Sequence, residues 1–252
     1  MIALKNISKS FNGHKVIDDV SFTLQTGKTN LIIGESGSGK TTILKMMVGL
    51  YGIDSGQIIY DDIVFSELNE KQRQGFRKDI GMLFQGGALF DSMTVEENIA
   101  FPLKMFSHYT EKEIKERVNF CLDKVRLHDR NNLYPAELSG GMKKRAALAR
   151  AISSNPKYLF CDEPNSGLDP KTAIVIDELV HELTVEFNMC TLIITHDMNS
   201  MIQIGENVMF LFEGKKWWEG DKNTILSTNN KELLEFVYAA DYLKKKNPNP
   251  HL

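Results

Sequence analysis

The stretch Gly34-Glu35-Ser36-Gly37-Ser38-Gly39-Lys40-Thr41-Thr42 restricts this chain more than any other. It leaves the apolar run Leu31-Ile32-Ile33 and opens onto Ile43-Leu44-Lys45-Met46-Met47, so it reads as a turn from a buried strand into a helix. Glycines at this spacing let backbone N–H groups turn inward around oxygens. The helix that follows aims its positive end at the same point, and Lys40 adds a mobile cation, which together make a phosphate cradle. Thr41 then supplies a hydroxyl for Mg²⁺. A glycine-rich turn can also serve packing alone, so the surrounding motifs have to decide.

A chain of 252 residues can bury one large core, or a core with a small subdomain. A net charge of -3 gives no overall pull towards DNA or RNA, though a local basic patch stays compatible with it. No apolar run approaches the roughly 18 to 20 residues needed to span a bilayer, and Met1-Ile2-Ala3-Leu4-Lys5-Asn6 lacks a signal-peptide core. The expectation is a cytosolic protein. Cys121, Cys161 and Cys190 lack metal-ligand spacing and fall in segments with helix or strand character, so buried, reduced thiols are expected.

Residues 2 to 11 and 20 to 25 alternate apolar and polar, with Asn12-Gly13 as a turn signal, and predict an antiparallel edge. Phe11 ends the first of these strands, where an aromatic face can stack on a base or simply join the core. Gln57-Ile58-Ile59-Tyr60 and Ile80-Gly81-Met82-Leu83-Phe84 predict further strands, the second ending at Gln85. An amide at a strand's carboxyl end sits where α/β sheets bind ligands, although neighbouring loop backbone could equally satisfy it.

From Gly86 to about Asn155 the pattern becomes helical. Thr110 with Glu113 makes a capping box, and Ile114, Val118, Cys121, Leu122 and Val125 form one apolar stripe. Ser139-Gly140-Gly141 opens another helix, and two glycines in a first turn cost about 1 kcal/mol each relative to Ala. Close backbone access and a tight helix–helix contact explain them equally well.

Tyr158-Leu159-Phe160-Cys161 reads as a buried strand that delivers Asp162 and Glu163 to its tip. Two carboxylates there are costly without a cation or substrate, and a structural ion pair is the plainer alternative. Asp169-Pro170 caps a helix with Ala173, Ile176, Val180 and Leu183 on one face. Thr191-Leu192-Ile193-Ile194 then ends in Thr195-His196-Asp197, another polar tip, and Val208 to Phe212 with the Glu213-Gly214 turn closes the β series.

Taken in order, the phosphate loop, Gln85, Leu138-Ser139-Gly140-Gly141-Met142, Asp162-Glu163, Ser166-Gly167-Leu168-Asp169 and His196 resemble an ABC-transporter ATPase subunit over residues 2 to 225. Within that family the stretch Gln85 to Leu103, together with LSGGM in place of the commoner LSGGQ, looks most like the ATPase of Mla-type phospholipid-transport systems. The resemblance implies an α/β fold: a P-loop NTPase (RecA-like) core with an antiparallel β edge and a helical signature subdomain. It divides the chain into a core at 1–86 and 156–226, a signature subdomain at 87–155 and a helical tail at 227–252.

The resemblance also implies roles, with ATP and Mg²⁺ as ligands. Phe11 stacks on adenine with Val16 beside it, while Lys40 and the amides of Gly34, Ser36, Gly37, Ser38 and Gly39 hold the β- and γ-phosphates. Thr41 ligates Mg²⁺ and Thr42 lies near the α-phosphate. Asp162 holds the metal through water, Glu163 is general base, and Gln85 senses metal and water. His196 contacts the γ-phosphate. Ser139, Gly140 and Gly141 bind the γ-phosphate held by a second subunit, and Asp169 bridges the two.

A head-to-tail homodimer on an integral membrane permease is therefore expected, peripheral to the cytoplasmic face of the inner membrane, with glycerophospholipid as cargo and no nucleic acid. The alternative is a cell-division-type ABC ATPase that signals to a membrane partner without transport. Asn165 stands where Thr is frequent in the family. The tail places Leu233, Phe236, Val237 and Ala240 on one helical side, which needs a partner surface, on the sister subunit or on an accessory protein. Its lysines, Lys244 to Lys246, could touch anionic lipid or remain solvated.

Overall fold

The computed structural model describes residues 1–245. Strands β1 (Ile2–Phe11) and β2 (His14–Leu24) form a hairpin about Asn12 and Gly13, whose φ values of 49° and 81° are those of a two-residue I′ turn. β2 begins six residues earlier than its alternation suggests, at His14 rather than at residue 20. Register shifts along β1, between Leu4 and Ile7, Ile7 and Lys9, and Lys9 and Ser10, break the period-two pattern while the ladder continues. With β4 (Ser55–Tyr60) and β5 (Ile63–Val64) the hairpin makes an antiparallel sheet in the order β2-β1-β4-β5.

The second sheet is built on β3 (Thr29–Ile33), with β6 (Ile80–Leu83), β7 (Tyr158–Asp162), β8 (Cys190–Thr195) and β9 (Asn207–Phe212) parallel to it in the order β9-β3-β8-β7-β6. β10 (Lys215–Gly220) adds antiparallel to β9 at the edge. Alternate residues feed two cores. Leu31, Ile33, Leu159, Cys161 and Ile193 face the helical side, and Ile32, Phe160, Leu192 and Ile194 face the antiparallel sheet. Burial on both faces is why these strands read as unbroken apolar runs.

The helices are α1 (Lys40–Met47), α2 (Glu70–Phe76), α3 (Val95–Phe106), α4 (Glu111–Lys124), α5 (Gly140–Ile152), α6 (Pro170–Glu186), α7 (Met198–Ile204) and α8 (Lys231–Lys245). The capping box at Thr110 is present, and Ile114, Val118, Cys121, Leu122 and Val125 are all buried. All three cysteines are buried and free. No helix among the described residues is long and apolar enough to cross a membrane.

The apolar face of the tail finds its cover within the same chain. Leu233 and Val237 of α8 belong to the core of the helical side, and the Phe236 ring lies 5.5 Å from that of Phe210. Trp217 of β10 donates its indole N–H to Glu232 at 3.0 Å, and Asn230 caps the helix by accepting from the Leu233 amide at 2.8 Å. Of the side that sequence alone left wanting a partner, Leu233, Phe236 and Val237 thus lie against the main sheet, and the side chain of Ala240 lies outside those described. The basic end at Lys246 lies outside the described residues, and with it the lipid contact read there.

Candidate active site

Because β3, β6, β7 and β8 run parallel, their carboxyl ends lie at one edge of the sheet, and the polar tips predicted from sequence converge there. A cleft of about 460 Å³ is lined by Val16, Ser36, Gly37, Gly39, Lys40, Thr41, Thr42, Gln85, Glu163, Ser166 and His196. Among the described residues α1 is the one α-helix with no side-chain cap, and its first turn carries no acidic residue. Its first N–H groups are therefore open to an anion.

The loop needs glycine at its start. Gly34 has φ 153°, and a Cβ there would meet the Leu211 carbonyl oxygen at 2.3 Å. Lys40 is buried, and its ammonium donates to the loop's own carbonyls, Gly34 O at 2.9 Å and Glu35 O at 2.7 Å. Burial lowers its pKa, against the charges of Glu163, Asp162 and Glu35. The Ser38 hydroxyl oxygen is buried without a partner. Ser38 is thus left with hydrogen-bonding capacity the chain does not itself satisfy, whereas Lys40 would have to leave its loop carbonyls to meet a ligand oxygen.

Opposite the loop, Gln85 Nε2 donates to Glu163 Oε2 and to Ser166 Oγ, each at 3.3 Å, and His196 Nδ1 lies 2.7 Å from Glu163 Oε1. Asp162 is half-buried. Burial and the neighbouring Glu163 charge raise its pKa, while Lys45, Lys40 and the Thr41 hydroxyl pull it down. A carboxylate in that position is relieved by a further cation. Asp162, Thr41 and Gln85 offer only oxygen donors to it, which fits Mg²⁺.

Ser139, Gly140 and Gly141 do not share this cleft. They line a second one of about 340 Å³ with Met142, Arg145, Gly167, Leu168, Asp169 and Thr172. Ser139 caps α5, its hydroxyl accepting from the Met142 amide at 3.3 Å. A Cβ on Gly141 would meet Thr172 Cγ2 at 2.5 Å, so close packing of α5 on α6 accounts for this glycine within one chain. Asp169 caps α6 through the Lys171 and Thr172 amides, both at 3.1 Å, and lies beside the Ser139 turn. Phe11 stands outside the 460 Å³ cleft, its ring edge-on to Tyr51 at 5.3 Å.

Two groups were not legible as site residues. Lys144 of α5 reaches the Gln85 and Glu163 carbonyls, and Asn165 holds a buried polar cluster. Asn165 Nδ2 donates to Ser200 Oγ at 2.7 Å and to Asp177 Oδ2 and Asp197 Oδ2, both at 3.2 Å. Asp177 is expected on the apolar side of no motif, and only the fold brings it beneath the loop that follows Glu163.

An uncapped helix behind a glycine loop, with a carboxylate pair ending a parallel strand, defines a P-loop NTPase. The model of the family "ABC transporter" matches residues 17–166. The chain is 36% identical to the methionine import ATP-binding protein MetN of Campylobacter jejuni, over 99% of this chain and 79% of MetN. It is 34% identical to the probable ribonucleotide transport ATP-binding protein mkl of Mycobacterium bovis, over 94% of this chain and 66% of mkl. Among solved structures, the ATP-binding cassette MJ0796, a dimer in a post-hydrolysis state bound to ADP and Pi, superposes with a TM-score of 0.80 at 30% identity. The match covers 88% of this chain and 99% of MJ0796. The chain cbiO1 of Clostridium perfringens, part of the complex cbiONQ, gives 0.84 at 25% identity, over 97% and 98% of the two chains. The chain belongs to the ABC transporter family of ATPases, and its enzymatic class is ATP hydrolysis.

Proposed function

We propose that two copies of this chain close head-to-tail around two ATP molecules, the Lys40 cleft of each meeting the Ser139 turn of the other, and that hydrolysis separates them to drive a membrane permease. The observation that carries this is the split of the predicted contacts into two separate clefts on one chain. Ser166 lines the first, and Gly167 to Asp169 line the second, so one short loop links the two halves. MJ0796, described as dimeric, is the supporting relative.

In this reading Lys40 exchanges its loop carbonyls for phosphate oxygens, with Gly34, Ser36, Gly37, Ser38, Gly39 and Thr42 lining the phosphate chain and Val16 and Phe11 at the base. Glu163 orients the attacking water and takes its proton, held by His196 and Gln85. Mg²⁺, held by Thr41, Asp162 and Gln85, supplies charge neutralisation on the phosphates. The core is read as residues 1–86 and 156–226, with a signature subdomain at 87–155 and a tail at 227–252.

The permease is assigned to the apolar cleft of about 380 Å³ that contains Met82, Phe84, Ala88, Phe90, Phe101 and Phe106. It adjoins Gln85 in sequence, and Phe84, Phe90 and Phe106 are all exposed there. With a permease there, the subunit is read as peripheral to the cytoplasmic face of the membrane. Glycerophospholipid is the proposed cargo, supported by the Gln85 to Leu103 stretch and LSGGM. The rival is a small polar solute, since MetN is a methionine import protein and mkl a probable ribonucleotide transporter. An accessory protein at the tail would meet the outward side of α8, where Tyr238 is exposed.

The test is Glu163→Gln in the full chain. Hydrolysis should fall roughly 10² to 10⁴-fold while ATP still binds and shifts the protein to a dimer on size exclusion. Unchanged turnover, or no ATP-dependent dimer, removes the proposal. Purification from membranes with the permease, followed by identification of bound lipid, separates phospholipid from polar solute.

A further inference from the structure

Helix α5 carries three cations that donate to main-chain carbonyls: Lys144, Arg150, and Arg145, which reaches Arg126 O at 3.2 Å. Arg150, half-buried, donates to Gly87 O at 2.9 Å and Ala88 O at 2.7 Å. Lys144 is 5% exposed, and its ammonium donates to the Gln85 carbonyl and, at 3.4 Å, to the Glu163 carbonyl. The segment that follows β6 is thereby fastened along α5, and Lys144 alone reaches on to the tip of β7.

A buried ammonium satisfied by carbonyls is a costly choice where an apolar side chain of equal length would pack. What it touches accounts for it. Glu163 has φ 47°, a left-handed backbone that is costly for a non-glycine residue. The Glu163 amide donates to Ile194 O of β8 at 2.9 Å, and its carbonyl accepts from Lys144, so the residue is pinned on both sides. Gln85, whose carbonyl accepts from the same ammonium, aims its amide at the Glu163 carboxylate.

We propose that Lys144 is a positioning residue: by binding the main chain of Gln85 and Glu163 together it sets the amide and carboxylate in register and ties both to the signature helix. The inference rests on Glu163 being the general base. Burial lowers the Lys144 pKa, with Cys161, Glu163 and Asp162 acting the other way.

The experiment measures MgATP hydrolysis by the full chain for Lys144→Met, Lys144→Arg, Glu163→Gln and the Lys144→Met, Glu163→Gln double variant, each checked for a cooperative melt. Lys144→Met should lower kcat about 10 to 100-fold with KM for ATP within about threefold, and Lys144→Arg should stay within about fivefold of the unaltered protein. On the Glu163→Gln background, Lys144→Met should cost no more than about twofold further, because both changes remove the same function. A folded Lys144→Met variant with kcat within about twofold of the unaltered protein, or with KM rising as kcat falls, overturns the inference. So does a full additional loss in the double variant. If Lys144→Met does not fold, Lys144→Gln is read against the same limits, and failure of both assigns Lys144 to stability alone. Unchanged turnover in Glu163→Gln would instead remove the general base, independently of Lys144.

Discussion

His196 Nδ1 lies 2.7 Å from Glu163 Oε1. With Glu163 ionised, Nδ1 is the donor, so a neutral ring presents Nε2 as an acceptor. Donation from Nε2 to a phosphate oxygen then requires a second proton on the ring or a reorientation that releases Glu163. His196 is accordingly tied to the state of the site rather than being an independent ligand. His196→Ala should lower turnover about 10² -fold while ATP affinity, followed with a fluorescent nucleotide, changes little. An equal loss in both would mark His196 as a plain binding contact.

Asp177 is 1% exposed, its Oδ1 has no partner, and burial pushes its pKa up to about 6, helped by the Asp197 charge and opposed by the bonds from Ser200 and Asn165. The folded pKa lies above the unfolded value, so the folded state binds this proton more tightly. Its contribution to stability is fully present below about pH 4, falls as pH rises through about 6, and is flat above. Asp177→Asn removes that slope. Between pH 5 and 7.5 the variant should gain on the unaltered protein by about 1 kcal/mol, read from chemical denaturation at the two pH values.

Gly141→Ala drives a methyl group into Thr172 Cγ2, 2.5 Å from the ideal Cβ position. Overpacking of this kind costs typically about 1 to 3 kcal/mol. Thr172→Ser removes that methyl and keeps the hydroxyl that donates to Asp169 Oδ2 at 2.5 Å. The double variant should melt above Gly141→Ala alone, and if it does not, the contact is not what demands glycine.

Leu233 is fully buried under the edge of the main sheet. Leu233→Ala should therefore destabilise the isolated chain by about 2 to 5 kcal/mol. A tail whose apolar side is reserved for another protein would leave the melting temperature unchanged and reduce only complex formation.

Much of the β framework was readable from pattern because the strands are buried on both faces or begin at strong turn signals, as at Asn12-Gly13. α7 and β10 were not. Seven residues of α7 span too few turns to show a period, and Lys215-Lys216-Trp217-Trp218 alternates poorly, since Trp217 turns to Glu232 of α8. The tail's apolar side was legible, but its cover was not, because helical periodicity states that a face is buried without naming what buries it.

By itself the sequence determined the local chemistry: a glycine loop before a helix, two carboxylates at a strand tip, a serine and two glycines opening another helix. Each is encoded within a few neighbouring residues, where backbone sterics and capping act. Tertiary structure alone decided that Lys144 reaches Gln85 and Glu163, that Asn165 meets Asp177, and that the Ser139 turn stands apart from the Lys40 cleft. The hydrogen-bonded pairs lie 12 to 59 positions apart, beyond the reach of local sterics and capping, and those of Lys144 exist only once parallel pairing of β6 with β7 has set the distance between their ends.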